Sequence, residues 1–366
     1  MPTNTQQSRG SARKNKSSNL LLIIAKAFFI SSCIFALVVM GGAFIIRNYT
    51  IIPPPVPPAI SSTATPASIV VEPHADDLGI GHGLRAPLGF TDEDRKELFY
   101  TFLIMGLDDG INVDTIMVAS YDGIENVASI VSIPRDTLVN VSRRHRKINV
   151  AYPAGRIHGG SAEAGIRQLK RELRSIIGFE PDFYIKIDFD AFVRIIDSVG
   201  GVDIDVPIHM RYEDPLQGLR IDIPAGMQRL NGEQTLQFAR FRLANPGFRT
   251  ISDFERVQNQ QAVVQAMLSS LITPTSLLRI PEFISIFQEN VSTNITASEM
   301  LWFASQLPDI HSSRALSTYT LPIARNSGPP NWYEFADIPA TLQLVNSTIN
   351  PFTMPITEND VDIAQQ

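Results

Sequence analysis

Val127-Ala-Ser-Ile-Val-Ser-Ile-Pro-Arg-Asp-Thr137 is the stretch on which the reading of this chain turns. Val127, Ala128, Ile130, Val131 and Ile133 form an apolar run of the kind a buried strand requires. Pro134 has no N–H to donate and ends regular ladder pairing. Arg135, Asp136 and Thr137 therefore follow a strand end, where open α/β sheets gather their ligands. An arginine there offers a permanently charged, planar fork suited to phosphate. The same two residues, Arg135 and Asp136, could equally form a local ion pair that closes a turn.

Upstream, Leu98 to Met105 is a continuous apolar run, and Gly106-Leu-Asp108-Asp109-Gly110 is a turn signal. Asp114-Thr115 opens a second strand, expected from Ile116 to Tyr121, and Asp122-Gly123 cues a hairpin back into Val127. Asp108 and Asp114 thus flank one loop. Their hard oxygens suit Mg²⁺, with Mn²⁺ as second choice, although aspartates also populate turns for conformational reasons alone.

Downstream, Arg143-Arg-His-Arg-Lys147 is a basic cluster, either solvated surface or a docking face for phosphates. Lys147-Ile-Asn-Val-Ala-Tyr152 leads to an expected loop containing Gly155, Gly159 and Gly160. Ile166, Leu169, Leu173, Ile176 and Ile177 recur at helical spacing up to Gly178. A strand over 183–187, a helix over 189–199 and a strand over 202–206 follow. This alternation predicts an α/β sheet covered on both faces. Asn231 to Arg242 reads as a capped helix ending in Arg240 and Arg242, whose spacing of two would put both on one side of an extended segment. Asp253 is a plausible helix N-cap, and Arg256 and Gln260, four apart, share a face near that helix's positive end. Beyond Pro274 the pattern predicts helices over 277–288 and 297–307, a strand over 318–322 and a disordered tail from about Glu358.

Composition bounds the rest. The chain has 366 residues, 44% hydrophobic and 19% charged, enough for a substantial core. The net charge of −6 is unevenly spread: six of the 31 basic residues and none of the 37 acidic ones lie in the first fifty positions. The acidic remainder argues against nucleic acid as a partner. Ala27 to Ile46 carries no charge over twenty residues, enough to cross a hydrocarbon core about 30 Å thick, and the apolar stretch extends back to Leu20 if Lys26 snorkels. Basic residues gather before it, so the N-terminus is expected in the cytoplasm and the bulk outside. Pro53-Pro-Pro55, Pro57-Pro58 and the Ser/Thr run after them read as a stalk. Cys33, the only cysteine, falls in the apolar span, which leaves the exterior part without a disulfide or thiol nucleophile.

Taken together, these residues resemble the LytR-CpsA-Psr family of bacterial cell-envelope enzymes. The resemblance covers roughly Phe102 to Leu271. It rests on Gly106-Leu-Asp108, Asp114-Thr115, the 132–137 and 147–152 motifs, Asp197-Ser-Val-Gly-Gly-Val-Asp203, Leu230 to Arg242, and Asp253-Phe-Glu-Arg256 with Gln260-Gln261. It implies a central mixed β-sheet flanked by helices on both faces, preceded by one N-terminal transmembrane helix, and an apolar channel for a polyprenyl chain. Expected boundaries are a cytoplasmic tail over 1–19, a membrane span over 20–46, a linker over 47–91, a catalytic domain over 92–272 and a C-terminal extension over 273–366.

The activity so implied is a Mg²⁺-assisted transfer in cell-wall biogenesis. A glycopolymer, such as teichoic acid or capsule, moves with its phosphate from a polyprenyl pyrophosphate carrier to a peptidoglycan hydroxyl. By the same resemblance Asp108 and Asp114 would hold the metal. Arg135, Arg240, Arg242, Arg256 and Gln260 would grip the pyrophosphate, and Asp136 or Asp253 would orient an arginine or deprotonate the acceptor. The chain departs from the family at Asn112, close before Asp114 in a shortened loop, and at Asn259, where arginines are common. A polyprenyl pyrophosphate hydrolase and a noncatalytic anchored module that binds lipid-linked intermediates are the alternatives.

Overall fold

The computed structural model describes residues 53–57, 59–61, 84–86, 89–108, 112–214, 219–271, 280–312 and 316–365. The expected membrane span, the cytoplasmic tail and most of the linker lie outside these residues. Among the described residues no helix is long and apolar enough to cross a membrane.

After two short strands, Ala59–Ser61 and Leu84–Ala86, that pair in parallel, the main sheet opens with Phe99–Leu107 (β1), Val113–Asp122 (β2) and Val127–Ser132 (β3). Helices Ala151–Gly159 (α1) and Ala162–Ile177 (α2) lead to strand Phe183–Ile187 (β4) and helix Phe189–Ser198 (α3). Four short strands follow: Val202–Val206 (β5), Met210–Asp214 (β6), Leu219–Ile223 (β7) and Gly226–Leu230 (β8). Next come Gly232–Arg240 (α4), Asp253–Leu271 (α5), Ile280–Asn290 (α6), Ser292–Thr293 (β9) and Ala297–Ser312 (α7). Leu316–Thr320 (β10), Ile323–Asn326 (β11), Glu334–Ala336 (β12) and Ile338–Thr348 (α8) complete the set.

Six strands make one mixed sheet in the order β9-β4-β1-β2-β3-β10. Strands β4 and β1, and β3 and β10, run parallel; the other pairs are antiparallel. The β2–β3 hairpin closes because the Asp122 carboxylate accepts hydrogen bonds from the amides of Ile124 and Glu125 at 2.9 and 3.0 Å. Helix starts are capped as their sequences demand: Ser161 accepts from Ala164 N, Asp188 from Ala191 N, Asn231 from Gln234 N and Asp337 from Ala340 N. Gly178, at φ +88°, ends α2 in the left-handed conformation.

Leu103, Met105 and Leu107 of β1 point to one face and pack with Leu169, Leu173 and Ile176 of α2 and Val345 and Ile349 at the end of α8. Each such side chain contributes about 1.5–3 kcal/mol by leaving water, as an upper bound. The opposite face carries Phe102 and Ile104 and is roofed by α5, α6 and α7. Here Phe303 meets Phe102 and Phe183 edge to face, with ring centroids 5.1 and 5.8 Å apart.

Three expectations are corrected. Gly155 and Gly159 are not loop residues but lie within α1, where any side chain would strike α2. A Cβ on Gly155 would sit 2.4 Å from that of Gln168, and one on Gly159 2.3 Å from that of Ala164. Glycine here permits two backbones to approach, and only Gly160 makes the turn. Strand 202–206 does not extend the main sheet. It pairs with β8 as a separate ribbon beside the β6–β7 hairpin, and both pack on α4 and α5 through Ile204, Val206, Ile221, Phe238 and Val263. The tail beyond Glu358 is ordered: Ile363 and Ala364 are buried, and Asp362 N donates to Ser175 O at 2.7 Å. Two apolar residues among polar neighbours gave no periodic signal, yet Ile363 bridges to Val139 and Ala364 packs with Leu138 and Phe335.

Candidate active site

Topology gathers the polar residues at one end of the sheet. Strand β1 ends where antiparallel β2 begins, and the end of β3 lies opposite the start of β2, with Met117 paired to Ser132. Parallel β10 ends level with β3, Thr320 opposite Ser132. Asp108, Asp114, the 134–137 loop and Leu321-Pro322 therefore emerge together.

Backbone bonds fix the 134–137 loop. Thr137 N and Oγ1 both donate to Pro134 O, at 3.0 and 2.6 Å, and Asn149 N donates to Arg135 O at 3.2 Å. Glu334 N donates to Asp136 O at 3.0 Å, and Leu138 N to Glu334 O at 2.8 Å. The Arg135 Nη1 donates to Asp114 Oδ1 at 2.6 Å, and Lys147 Nζ lies 3.0 Å from Asp136 Oδ1. Arg135 is thus paired with Asp114, across strands, and not with its neighbour Asp136. Burial pulls the Arg135 guanidinium down, but its bond to Asp114 and the charges of Asp114, Asp136 and Asp253 outweigh this and raise it.

Helix α5 supplies the facing wall. Asp253 holds two guanidinium groups, Arg242 Nη2 at 3.1 Å and Arg256 Nη2 at 3.2 Å. The Arg256 side chain is only 11% exposed. Burial lowers it first and the positive Arg135 second, while Asp253 and Asp114 offset part of this. Arg135, Arg256, Asp253, Asp114 and Gln260 line one polar cavity of about 640 Å³. Gln261, next in sequence, turns inward and donates from Nε2 to Ser132 Oγ at 3.0 Å and Tyr319 O at 2.9 Å.

Arg240 stands apart. Helix α4 continues through it, so Arg240 and Arg242 do not share an extended segment. Its guanidinium lies 4.2 Å from the Phe189 ring centroid and does not line the cavity. The expected convergence of these two arginines is therefore absent here.

Asp108 and Asp114 both line a second polar cavity, of about 570 Å³. Asp108 accepts from Asn112 N at 3.1 Å and Asn112 Nδ2 at 3.0 Å, so the family departure at position 112 serves to orient this carboxylate. Two carboxylates with room for further oxygen ligands fit Mg²⁺, which completes its shell with water and substrate phosphate. Among the described residues no cluster of three or more metal-ligating side chains occurs, so protein groups alone would leave such an ion incompletely held.

The C-terminal segment adds residues that no motif revealed. Glu334, Arg325 and Thr320 line the first cavity, and Asn331 and Tyr333 the second. Burial raises the Glu334 carboxyl, and Asp136 and Asp253 raise it further. These residues lie outside the region of resemblance, and their spacing has no pattern that sequence reading could have caught.

A third cavity, of about 600 Å³, lies between the second sheet face and α5–α7. Its lining is almost wholly apolar and includes Ile130, Met267, Leu268, Phe287 and Leu316. It shares no lining residue with the first cavity, but both draw on β3, α5 and β10. On β3 Ile130 gives way to Ser132, on α5 Val264 to Gln260, and on β10 Leu316 to Thr320. Gln261 spans the gap at that level.

A family model described as the LytR_cpsA_psr family matches residues 89–349. A curated Bacillus subtilis relative, polyisoprenyl-teichoic acid–peptidoglycan teichoic acid transferase TagV, is 28% identical over 268 residues, 70% of this chain and 65% of that protein. Staphylococcus aureus regulatory protein MsrR is 28% identical over 232 residues, 62% of this chain and 63% of the relative. The matched span is thus a little under two thirds of these relatives' length. The crystal structure of B. subtilis TagV superposes with a TM-score of 0.56 at 26% identity, covering 68% of this chain and 95% of that one. A structure of TagT bound to LI-WTA gives 0.56 at 18% identity, over 70% and 91%, a likeness of fold.

Proposed function

The chain belongs to the LytR-CpsA-Psr family, and from that membership we propose a membrane-anchored glycopolymer transferase. Its donor is a glycopolymer on a polyprenyl pyrophosphate, and its acceptor is a peptidoglycan hydroxyl. The observation that carries this reading is that β3, α5 and β10 line both an apolar cavity and an arginine-bearing polar one. A long apolar tail with an anionic head matches that pair of environments, and neither water nor a free nucleotide does. The printed activity of TagV, teichoic acid transfer from a polyisoprenyl carrier to peptidoglycan, points the same way.

In this mechanism the polyprenyl tail occupies the apolar cavity and the pyrophosphate faces Arg135, Arg256 and Gln260. Arg135 and Arg256 neutralise charge that shifts toward the leaving phosphate, a preorganised electrostatic contribution. Asp253 positions Arg242 and Arg256. Asp136, beside Lys147, takes the acceptor hydroxyl's proton as the new P–O bond forms. The bond to polyprenyl phosphate breaks, and that group leaves with the electron pair. Mg²⁺ held by Asp108 and Asp114 would supply further charge neutralisation at phosphate oxygens. The apolar stretch over 20–46 would keep the domain at the outer face of the cell membrane, where lipid-linked donors are.

The test uses the full chain in detergent with a polyprenyl pyrophosphate-linked glycan and peptidoglycan fragments, with and without Mg²⁺. Mass spectrometry is expected to find a glycan-phosphate adduct for the wild type, and about 10²–10³-fold less for Arg135→Ala. Asp114→Ala should lose the dependence on Mg²⁺ together with activity. Free sugar phosphate without adduct would replace the transferase with a hydrolase. Binding without turnover would leave an anchored binding module.

A further inference from the structure

Read as a free stalk, residues 47–91 would let the domain stand well away from any membrane. Two parts of that stretch are tied instead. Pro54 and Pro57 are buried, and the Tyr100 hydroxyl donates to Pro54 O at 2.7 Å. Ala59–Ser61 pairs in parallel with Leu84–Ala86. Ile46, the last residue of the uncharged run, and Pro54 are eight residues apart in the sequence. Eight residues reach at most about 29 Å even when fully extended. An anchor that ends at Ile46 therefore holds Tyr100, and whatever lies beside it, close to the bilayer.

Tyr100 sits at the end of the sheet opposite to Asp108 and Asp114. It pairs with Tyr121, Phe99 pairs with Asp122, and Gly123 N donates to Leu98 O at 2.9 Å, so the β2–β3 hairpin tip lies at this end too. Two large apolar side chains of the hairpin face solvent: Ile124 is 58% exposed and Val127 40%. Pro53 and Pro55 are exposed on either side of the tied Pro54. Two side chains on a hairpin tip are too few for a stable protein interface, which buries about 1,200 Å² or more. A bilayer needs no matching surface. The charges here do not draw acidic headgroups: Glu97 and Glu125 are exposed, and Lys96 Nζ turns back to Asn350 O at 2.9 Å. Tyr121, Ala128 and Leu316, which face one another across β2, β3 and β10, line the apolar cavity, so its lining reaches this same end.

We infer that this end of the sheet rests on the bilayer, with Ile124 and Val127 set into the headgroup region. Strand β2 has ten residues, so the polar site at its start stands about 30 Å above the lipid contact. The hairpin tip and the tied Pro54 together make a footing, and the domain keeps one orientation on the membrane instead of tumbling on a tether. The contact is apolar and does not depend on headgroup charge. The inference rests on the membrane-anchored reading above, because the span is what brings the tip within reach of lipid.

The experiment uses the full chain in vesicles of phosphatidylcholine, alone or mixed with phosphatidylglycerol, with Cys33→Ala removing the native thiol. A nitroxide is attached through Ile124→Cys, Val127→Cys or Phe254→Cys. Phe254 is 60% exposed and lines the first polar cavity, at the opposite end of the sheet. All three positions face solvent, so labelling should leave the unfolding temperature unchanged. Electron paramagnetic resonance compares access by oxygen, which concentrates in lipid, with access by a water-soluble nickel complex. The label at position 124 should favour oxygen, the one at 127 less strongly, and the one at 254 the nickel complex. This order should hold in both lipids and at about 0.5 M salt. Equal nickel access at 124 and 254 would overturn the inference. So would immersion of 124 that requires phosphatidylglycerol or is lost in salt. Flotation with the vesicles separates the two readings. A chain that does not float lacks the anchor, which refutes the membrane-anchored reading and this inference with it. A chain that floats while position 124 stays in water refutes the footing alone.

Discussion

Asp253→Asn tests the electrostatic account of the site, because one carboxylate there holds two guanidinium groups. The pair with Arg242 is nearly half exposed on both sides, 47% and 45%, and such pairs contribute about 0.2–1 kcal/mol. The pair with Arg256 differs, since that side chain is 11% exposed and faces the positive Arg135. Removing one partner of a fully buried pair costs about 3–5 kcal/mol. Asp253 itself is 45% exposed, so solvent screening reduces this to about 1–2 kcal/mol. The combined loss is about 2 kcal/mol, a fall in Tm of about 4 °C for a domain of this size. Thermal unfolding of the full chain by circular dichroism is the assay. In about 0.5 M salt the Arg242 part should be screened away and the Arg256 part largely retained. Inorganic pyrophosphate should restore more stability to the variant than it adds to the wild type, because it supplies the missing countercharge. A Tm within about 1 °C of the wild type, or a loss that vanishes entirely in salt, would refute the claim that Arg256 is a desolvated cation dependent on Asp253.

Other outcomes follow from the same geometry. Met267→Trp fills part of the apolar cavity and should raise KM for a long-chain polyprenyl donor about tenfold, the loss of roughly two buried methylenes. A short-chain donor with the same head should be little affected; equal loss for both would show that the tail does not bind there. Gln261→Ala leaves Ser132 Oγ and Tyr319 O without their donor and should destabilise by about 2 kcal/mol in urea unfolding; no loss would mean the sheet and α5 are not joined through it. Glu334 has a raised folded-state pKa, so its neutral form is favoured in the fold. The wild type therefore loses stability as pH rises from the unfolded value near 4.5 through the folded one. Glu334→Gln should be the more stable protein at about pH 8, by less than about 1 kcal/mol given its partial exposure, and should show no advantage at about pH 4. A constant difference across that range would contradict the assigned cause.

How much of this was legible in the sequence depends on the range of the interaction concerned. Strands 99–107, 113–122 and 127–132 were readable because burial on both faces requires continuous apolar runs, and Asp122-Gly123 gave their connection locally. The cap at Asn231 is likewise a three-residue event. The cap expected at Asp253 falls one residue earlier, on Ser252, whose Oγ accepts from Glu255 N at 3.2 Å, while Asp253 is the first helical residue. Gly155 and Gly159 misled, because glycine in a turn and glycine at a helix–helix contact look alike until the second helix is in place. Arg240 is comparable: as the last residue of α4 it sets its guanidinium over Phe189, a contact that no local pattern shows.

The sequence by itself determined the family, the strand-end position of Arg135, Asp108 and Asp114, and the Arg256–Gln260 helix face. All are encoded within a few residues of one another, where periodicity, capping and turn chemistry act. The tertiary structure alone decided the pairing of Arg135 with Asp114 instead of Asp136, the sharing of Asp253 by two arginines, and the entry of Glu334, Asn331 and Tyr333. Those contacts join residues up to about two hundred positions apart, Glu334 to Asp136 among them. Sheet order and register settle which strand ends meet, and no local pattern carries that information.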